Sequence, residues 1–283
     1  MISCELKKRL EGKALALREH IVYDLIGVGK VGHLGGSCSC AEIVAVLYFH
    51  KMKTDPVNPG SPERDRFLLS KGHAALVQYA ALAEAGYFPK SELKKVKSLG
   101  ALLQGHPDMT KTPGVEANTG SLGQGLSIAS GMALGLKLDG SDRKVYCIIG
   151  DGEMAEGQIW EAAMAAANFK IDNIVAIVDR NKLQATGTIV ERFNSNPITP
   201  KWQAFGWNVI EIDGHDVAAI VEALDQADAV KGKPTVIIAE TVKGKCISFA
   251  EHKAAFHNGA LNAEQFAMAQ CDLKKIREQG EQT

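Results

Sequence analysis

Two polar segments follow consecutive apolar runs in the second half of the chain. Gly-Asp-Gly-Glu stands at 150–153 directly after one run, and Asp-Arg-Asn stands at 179–181 directly after the next. Parallel strands joined by a helix point the same way, so Asp151 and Asn181 are predicted to emerge at one carboxyl edge of a sheet. A carboxylate and an amide oxygen together suit Mg²⁺, which commonly shares its oxygen ligands with phosphate groups. The pair therefore predicts a diphosphate site with its magnesium ion.

The same glycines also have a simpler explanation. Gly-Asp-Gly alone is typical of a strand-to-helix turn, and a helix is predicted to begin near Glu156. The N-terminal amides of that helix would face the same anion. Because Asp151 is matched by Asn181 across one strand-helix-strand unit, the interpretation as a metal and diphosphate site is favoured over a turn alone.

The elements that must position these residues alternate between short apolar runs and amphipathic segments. Buried strands are predicted at 145–149, 174–178, 209–212 and 236–239, with helices at 159–168 and 217–230 and, in the first third, at 6–26, 41–49 and 73–85. This alternation predicts a three-layer α/β/α fold whose mostly parallel sheet is covered on both faces. The whole chain, 1–283, is expected to form one domain with a polar helical tail from about residue 262.

Composition excludes several classes of function. The 283 residues carry a formal net charge of −1, and the scattered basic residues form no stripe suited to nucleic acid. No run reaches the ~18 consecutive apolar residues that span a membrane, and the N-terminus has no apolar signal core. Six cysteines without zinc-like pairs indicate reduced thiols. A cytoplasmic protein is therefore expected.

The segment 27–32 matches the dinucleotide fingerprint G-x-G-x-x-G. That fingerprint must follow a strand, whereas this segment follows a predicted helix. Glu42 is too close to it to hold a ribose. The match is therefore interpreted as accidental, and an NAD-binding function is excluded.

Six ordered motifs resemble those of transketolases. The segment from Gly150 to Asn181 resembles the thiamine diphosphate motif shared by thiamine-dependent enzymes. The other five are Gly-His-Leu-Gly at 32–35, Ser-Lys-Gly-His-Ala at 70–74, Gly-His-Pro at 105–107, Thr-Gly-Ser-Leu-Gly-Gln-Gly at 119–125 and Phe-His-Asn-Gly at 256–259. The similarity runs from about residue 10 to residue 259 in the family's motif order.

The resemblance implies which residues hold the cofactor and its metal. Asp151, Asn181 and the backbone carbonyl of Leu183 would bind Mg²⁺, for which Ca²⁺ or Mn²⁺ can substitute, against the diphosphate of thiamine diphosphate. The remaining cofactor contacts would come from Gly150, Gly152 and Glu153 along the diphosphate, from Gly120, Ser121 and Leu122 near the pyrimidine, and from Glu156, where the family has an interface glutamate.

Four histidines match the active-site histidines of the family. His33 and His257 would flank the substrate carbonyl and hydroxyl, and His106 would hold the terminal hydroxyl. His73 and His257 would also approach the diphosphate. Imidazole suits these catalytic roles because it both donates and accepts protons near neutral pH.

The activity implied by the resemblance is transfer of a two-carbon ketol unit from a ketose phosphate to an aldose phosphate. Ser121 stands where many transketolases carry proline, and Glu153 where many carry cysteine, so the chain is most similar to the short two-subunit or sugar-modifying branches. The family's pyrimidine-binding domain would then lie in a C-terminal partner subunit, with two copies of each chain. The α subunit of a 2-oxo acid dehydrogenase and a non-catalytic thiamine-diphosphate-binding subunit remain alternatives.

Overall fold

Every strand of the central sheet runs in the same direction. The computed structural model describes residues 2–282, with side chains through residue 280. Within that range the sheet has five strands, namely β1 (Arg66–Leu69), β2 (Val145–Gly150), β3 (Ile174–Arg180), β4 (Asn208–Asp213) and β5 (Thr235–Glu240). Their order is β1-β2-β3-β5-β4, and each neighbouring pair is parallel. All the strands therefore end at one edge of the sheet.

Helices precede, separate and follow these strands. The α-helices of the described residues are α1 (Cys4–Glu19), α2 (Leu34–Cys38), α3 (Ala41–Val46), α4 (Ala75–Ala85), α5 (Gln124–Leu138), α6 (Gly157–Asn168), α7 (Ile189–Arg192), α8 (Ile198–Ala204), α9 (Val217–Ala229) and α10 (Ala263–Gln282). A π-helical turn, His20–Ile26, extends α1 up to the glycine-rich segment 27–32. That segment follows a helix, as predicted. No helix of the described range is long and apolar enough to cross a membrane.

The sheet is covered on both faces. Alternate side chains of β2 point to opposite sides, with Tyr146 and Ile148 in one buried cluster and Cys147 and Ile149 in another. The first cluster also contains apolar side chains of α1, α3, α4 and α9, and the second contains those of α5, α6 and α8. Burial on both faces explains why the strands are almost continuously apolar. The predicted three-layer fold with a parallel sheet is confirmed.

Three features differ from the sequence-based expectation. β1 was not predicted, because its four residues begin with a charged arginine and are too short to show a pattern. α5 was not predicted either, because its glycines and serines lower helix propensity, although Leu126 and Ala129 are fully buried. The tail helix α10 is less polar than expected, since Ala269 and Leu273 lie in the core.

Candidate functional site

The candidate site lies at the carboxyl edge of β2 and β3. Asp151 directly follows β2 and Asn181 directly follows β3, and both side chains are buried. A cavity of about 370 Å³ opens beside them. Of the predicted site residues, those lining it are His73, Leu122, Gly150, Asp151, Gly152, Glu153, Glu156, Asn181, Leu183 and His257. The strand-edge prediction therefore places the two motif residues correctly.

Three residues with oxygen atoms that could bind a metal ion line this cavity. The Asp151 carboxylate accepts hydrogen bonds from the backbone N–H groups of Gly152 (2.8 Å) and Lys182 (2.5 Å). Asn181 Oδ1 accepts from the N–H of Leu183 at 3.1 Å, and Asn181 Nδ2 donates to Asp179 Oδ2 at 3.1 Å. The backbone carbonyl of Leu183 accepts a hydrogen bond from the Lys243 ammonium at 2.9 Å.

The chemistry of this donor set fits a hard divalent cation. A carboxylate, an amide oxygen and a backbone carbonyl suit Mg²⁺, Ca²⁺ or Mn²⁺. Among residues 2–282 no group of three or more His, Cys, Asp or Glu side chains is arranged to hold a metal ion. A cation bound by Asp151, Asn181 and the Leu183 carbonyl would complete its shell with phosphate and water oxygens, as Mg²⁺ commonly does.

The Asp151 carboxyl has a raised pKa, although the Lys243 ammonium and two backbone hydrogen bonds oppose the shift. Its burial raises the pKa of the carboxyl to about 7, and the nearby Asp179 carboxylate adds to this effect. Hydrogen bonds from the backbone of Lys182 and Gly152 act in the opposite direction. A divalent cation beside Asp151 would favour the ionised carboxylate.

Glu153 ties three segments together beneath the cavity. Its buried carboxylate accepts hydrogen bonds from Ser70 Oγ (2.6 Å) and from the backbone N–H groups of Gly123 (2.8 Å) and Gly150 (3.0 Å). This arrangement holds the loop after β2 against the segments that carry two other predicted motifs. Glu156, in contrast, is exposed at the N-cap of α6.

The four predicted histidines come together. The ring centroids of His33 and His73 are 5.1 Å apart, those of His33 and His257 are 5.3 Å apart, and those of His73 and His257 are 4.9 Å apart. His106 lies at the outer side of this group, 6.2 Å from His33. The cluster therefore continues from the cavity wall, where His73 and His257 lie, to His33 and His106 beyond it.

Backbone contacts between distant segments assemble this cluster. Gly32 and Gly259 exchange two hydrogen bonds, of 2.9 and 3.0 Å, which place His33 beside His257. Gly72 packs so closely against Gly120 that an added Cβ would lie 2.6 Å from the Gly120 nitrogen. Gly120 itself has a φ of +137° and packs equally closely on the ring of His106. Ser121, next to it, is exposed and does not line the cavity.

The histidines of the cluster are neutral at pH 7. Burial lowers the pKa of His33 to about 4, of His257 to about 3 and of His73 to about 2. Nearby ammonium groups and neighbouring imidazoles contribute to these lowered pKa values. Each ring therefore offers one N–H donor and one nitrogen acceptor, as proton transfer and hydroxyl binding require.

Acid is expected to destabilise the chain partly through His73. The unfolded chain binds a proton at this residue below about pH 6.5, whereas the folded chain does not, so the free energy of unfolding falls as the pH drops below that value. His73→Gln removes the effect. Between about pH 7.5 and about pH 5.5, urea unfolding should show a loss of stability smaller by roughly 1 kcal/mol in the variant than in the wild type.

The matched control for this experiment is His50→Gln, because His50 is exposed. This control should lose as much stability as the wild type over the same pH range. Equal losses in His73→Gln and wild type would contradict the assignment of His73 as a buried neutral ring.

Three polar residues of the site received no role from the sequence. Lys243 Nζ contacts both the Leu183 carbonyl (2.9 Å) and His257 Nδ1 (2.8 Å). Lys71 and Asp179 form a fully buried ion pair. Burial alone would raise the pKa of Asp179, but the Lys71 ammonium and hydrogen bonds from Ser39 and Thr241 hold it below its usual value. Lys243 could have been predicted as a site residue from the sequence, because it closely follows the carboxyl end of β5 at the same sheet edge.

Comparisons with known proteins agree with this geometry. Residues 12–275 match the family described as "Transketolase, thiamine diphosphate binding domain". The "6-deoxy-6-sulfo-D-fructose transketolase subunit SqwG" of Clostridium sp. (strain MSTE9) is 48% identical over 266 residues, which cover 94% of this chain and 96% of that protein. An apulose-4-phosphate transketolase subunit of Actinobacillus succinogenes is 43% identical over 265 residues, with the same coverage of 94% and 96%.

Solved structures of longer proteins are also similar. The transketolase of Campylobacter jejuni superimposes with a TM-score of 0.86 at 33% sequence identity. The match covers 96% of this chain and 43% of that one. The chain therefore spans less than half the length of this solved relative.

Proposed function

This chain belongs to the family of the transketolase thiamine diphosphate binding domain, and from that premise we propose that it is the N-terminal subunit of a two-chain transketolase. The prediction of a transketolase family member from the ordered motifs is confirmed. The proposed reaction is transfer of a two-carbon ketol unit from a ketose phosphate or related anionic ketose to an aldose acceptor. The proposed cofactors are thiamine diphosphate and Mg²⁺.

One observation carries the proposal. The oxygen donors of Asp151, Asn181 and Leu183 and the imidazoles of His73 and His257 face the same cavity. A metal and diphosphate site on its own would account for the oxygen donors. A site for sugar hydroxyls on its own would account for the histidines. Their meeting at one cavity supports a reaction in which a sugar is processed beside a bound diphosphate cofactor.

Residues at different positions in the site have different proposed roles. Asp151, Asn181 and the Leu183 carbonyl would hold the cation, and the Lys243 ammonium, which donates to that carbonyl, would add positive charge beside them. When bound, thiamine diphosphate supplies the nucleophile and the electron sink for carbon–carbon cleavage. The neutral imidazoles of His33 and His257 donate or accept protons at the sugar carbonyl and hydroxyl.

The histidine cluster argues against the 2-oxo acid dehydrogenase alternative. Decarboxylation of a short oxo acid offers few hydroxyl groups to bind, whereas a ketose offers several. The neutral rings of His33, His73 and His257 lie about 5 Å apart, and each can donate and accept one hydrogen bond, so together they could bind several hydroxyl groups. An assay for the decarboxylation of pyruvate distinguishes the two activities.

The metal assignment is tested by Asp151→Asn. The substitution removes the charged ligand from an ion that dehydrates reluctantly, so Mg²⁺-dependent binding of thiamine diphosphate should weaken by at least about 100-fold. Isothermal titration calorimetry with and without Mg²⁺ measures the effect.

The control is Asp139→Asn, which neutralises an exposed aspartate at the end of α5. It should leave cofactor binding unchanged. Wild-type affinity in Asp151→Asn would refute both the metal site and the proposed function that depends on it.

A further inference from the structure

One fully buried carboxylate lies beneath the candidate site and accepts four hydrogen bonds. Asp179, at the end of β3, is 0% exposed. Its donors are Ser39 Oγ at 2.6 Å, Lys71 Nζ at 2.5 Å, Asn181 Nδ2 at 3.1 Å and the hydroxyl of Thr241. An ionised carboxylate can only accept hydrogen bonds, and here both of its oxygens are used.

The four donors come from four segments of the chain, each of which also carries a candidate site residue. Ser39 lies on the same segment as His33, Lys71 on the same segment as His73, and Thr241 on the same segment as Lys243. The fourth donor, Asn181, is itself a candidate site residue. Lys71 also donates to the carbonyl of Gly36 at 2.6 Å, which further fastens the segment after His33. Asp179 thus joins the metal side of the cavity to the histidine side.

The contact with Asn181 has a specific chemical consequence. A side-chain amide has one donor end and one acceptor end, and a cation binds only the acceptor end. Because Asp179 can only accept, the NH₂ end of Asn181 must face it, and Oδ1 is left on the side of Leu183. The reverse orientation would set a carbonyl oxygen against a buried carboxylate and aim an NH₂ group at the cation.

We propose that Asp179 is a positioning residue that fixes the orientation of the Asn181 amide so that its oxygen faces the divalent cation. The proposal rests on the proposed function, since it assumes that Asn181 is a metal ligand. Asp179 itself does not touch the cation. It acts through Asn181, while Lys71 compensates its buried charge.

The test compares Asp179→Asn with the exchanged pair Asp179→Asn/Asn181→Asp. An amide at 179 can either donate or accept, so of the two contacts that orient Asn181 only the hydrogen bond from the Leu183 N–H remains. A carboxylate at 181 presents oxygen at both ends and needs no orienting partner. The exchange also keeps the net charge of the wild type.

The readout is the dissociation constant for Mn²⁺, measured from the electron paramagnetic resonance signal of free Mn²⁺. Titrations use the chain with its partner chain and saturating thiamine diphosphate. Asp179→Asn should weaken Mn²⁺ binding by about 10-fold to 100-fold, the usual effect of losing a residue that orients a metal ligand. The exchanged pair should recover most of that loss.

A control separates orientation from the effect of an unpaired buried lysine. Lys71→Met/Asp179→Asn removes both charges and so avoids leaving an ammonium group buried alone. If Asp179 orients Asn181, this variant should fold, as judged by urea unfolding, and should still bind Mn²⁺ weakly. Recovery of wild-type affinity in this variant would overturn the proposal.

The outcomes separate this inference from the proposed function. Mn²⁺ binding by the wild type that does not depend on thiamine diphosphate would count against the proposed function itself. Cofactor-dependent wild-type binding with an unchanged constant in Asp179→Asn would overturn only the orienting role. The same conclusion would follow if the exchanged pair bound Mn²⁺ no better than Asp179→Asn.

Discussion

His33→Ala and His257→Ala are each expected to lower the turnover number of ketol transfer by about 10²-fold to 10⁴-fold, the usual contribution of a positioned proton-transfer group. The affinity for thiamine diphosphate should change little in His33→Ala, since His33 lies outside the cavity lining. Burial keeps both rings neutral, so each has a lone pair to accept a proton at neutral pH. Steady-state kinetics of the reconstituted enzyme and calorimetry measure the two quantities.

Two further histidine variants serve as a comparison and a control for this experiment. His73→Ala should reduce both turnover and cofactor affinity, because His73 lines the cavity beside the metal ligands. His50→Ala removes an exposed imidazole and should change neither. Wild-type turnover in His33→Ala or His257→Ala would show that the histidine concerned is structural.

The sheet edge could be predicted from the sequence because it depends on local patterns. Apolar runs before Asp151 and Asn181 identify β2 and β3, and the parallel connection sets both residues at one edge. β1 escaped prediction because four residues give too little periodicity to recognise. Its position is determined by pairing with β2, which is a contact over almost eighty residues of sequence.

The histidine cluster could not be predicted from local sequence patterns. No spacing rule brings His33 next to His257, more than two hundred residues away, and the resemblance alone supplied that expectation. The structure shows the physical cause, which is the pair of hydrogen bonds between Gly32 and Gly259. Glycine-rich segments allow such close approach, but the sequence does not say which of them will meet.

Asp179 and Lys71 illustrate a different limit. Both lie inside motifs that the sequence identified, yet their roles depend on burial and on which side chain each one faces. A lysine and an aspartate about a hundred positions apart are usually both solvated on a protein surface. Here both are buried and form an ion pair. The pair also makes hydrogen bonds to Gly36 and Asn181, which lie in or next to the motifs.

Exposed apolar side chains lie at the rim of the cavity. Phe193 lines the cavity and is 59% exposed, and Val190, in the preceding helix α7, is 65% exposed. Exposed apolar side chains beside a polar site are typical of an interface. Relatives of nearly the same length are named as transketolase subunits, whereas the solved Campylobacter jejuni transketolase is more than twice as long. Both observations support a partner that covers the cavity.

We therefore expect the purified chain with Mg²⁺ and thiamine diphosphate to show no measurable ketol transfer, and to gain activity when a pyrimidine-binding partner chain is added. Sedimentation of the active mixture should indicate two copies of each chain, because closed two-fold symmetry is the commonest arrangement. Phe193→Ser should weaken assembly. The matched control is Val57→Ser, since Val57 is 96% exposed but precedes β1 and so lies toward the opposite edge of the sheet. Full turnover by the isolated chain would refute the two-chain proposal, and equal assembly in Phe193→Ser and Val57→Ser would move the interface away from the cavity.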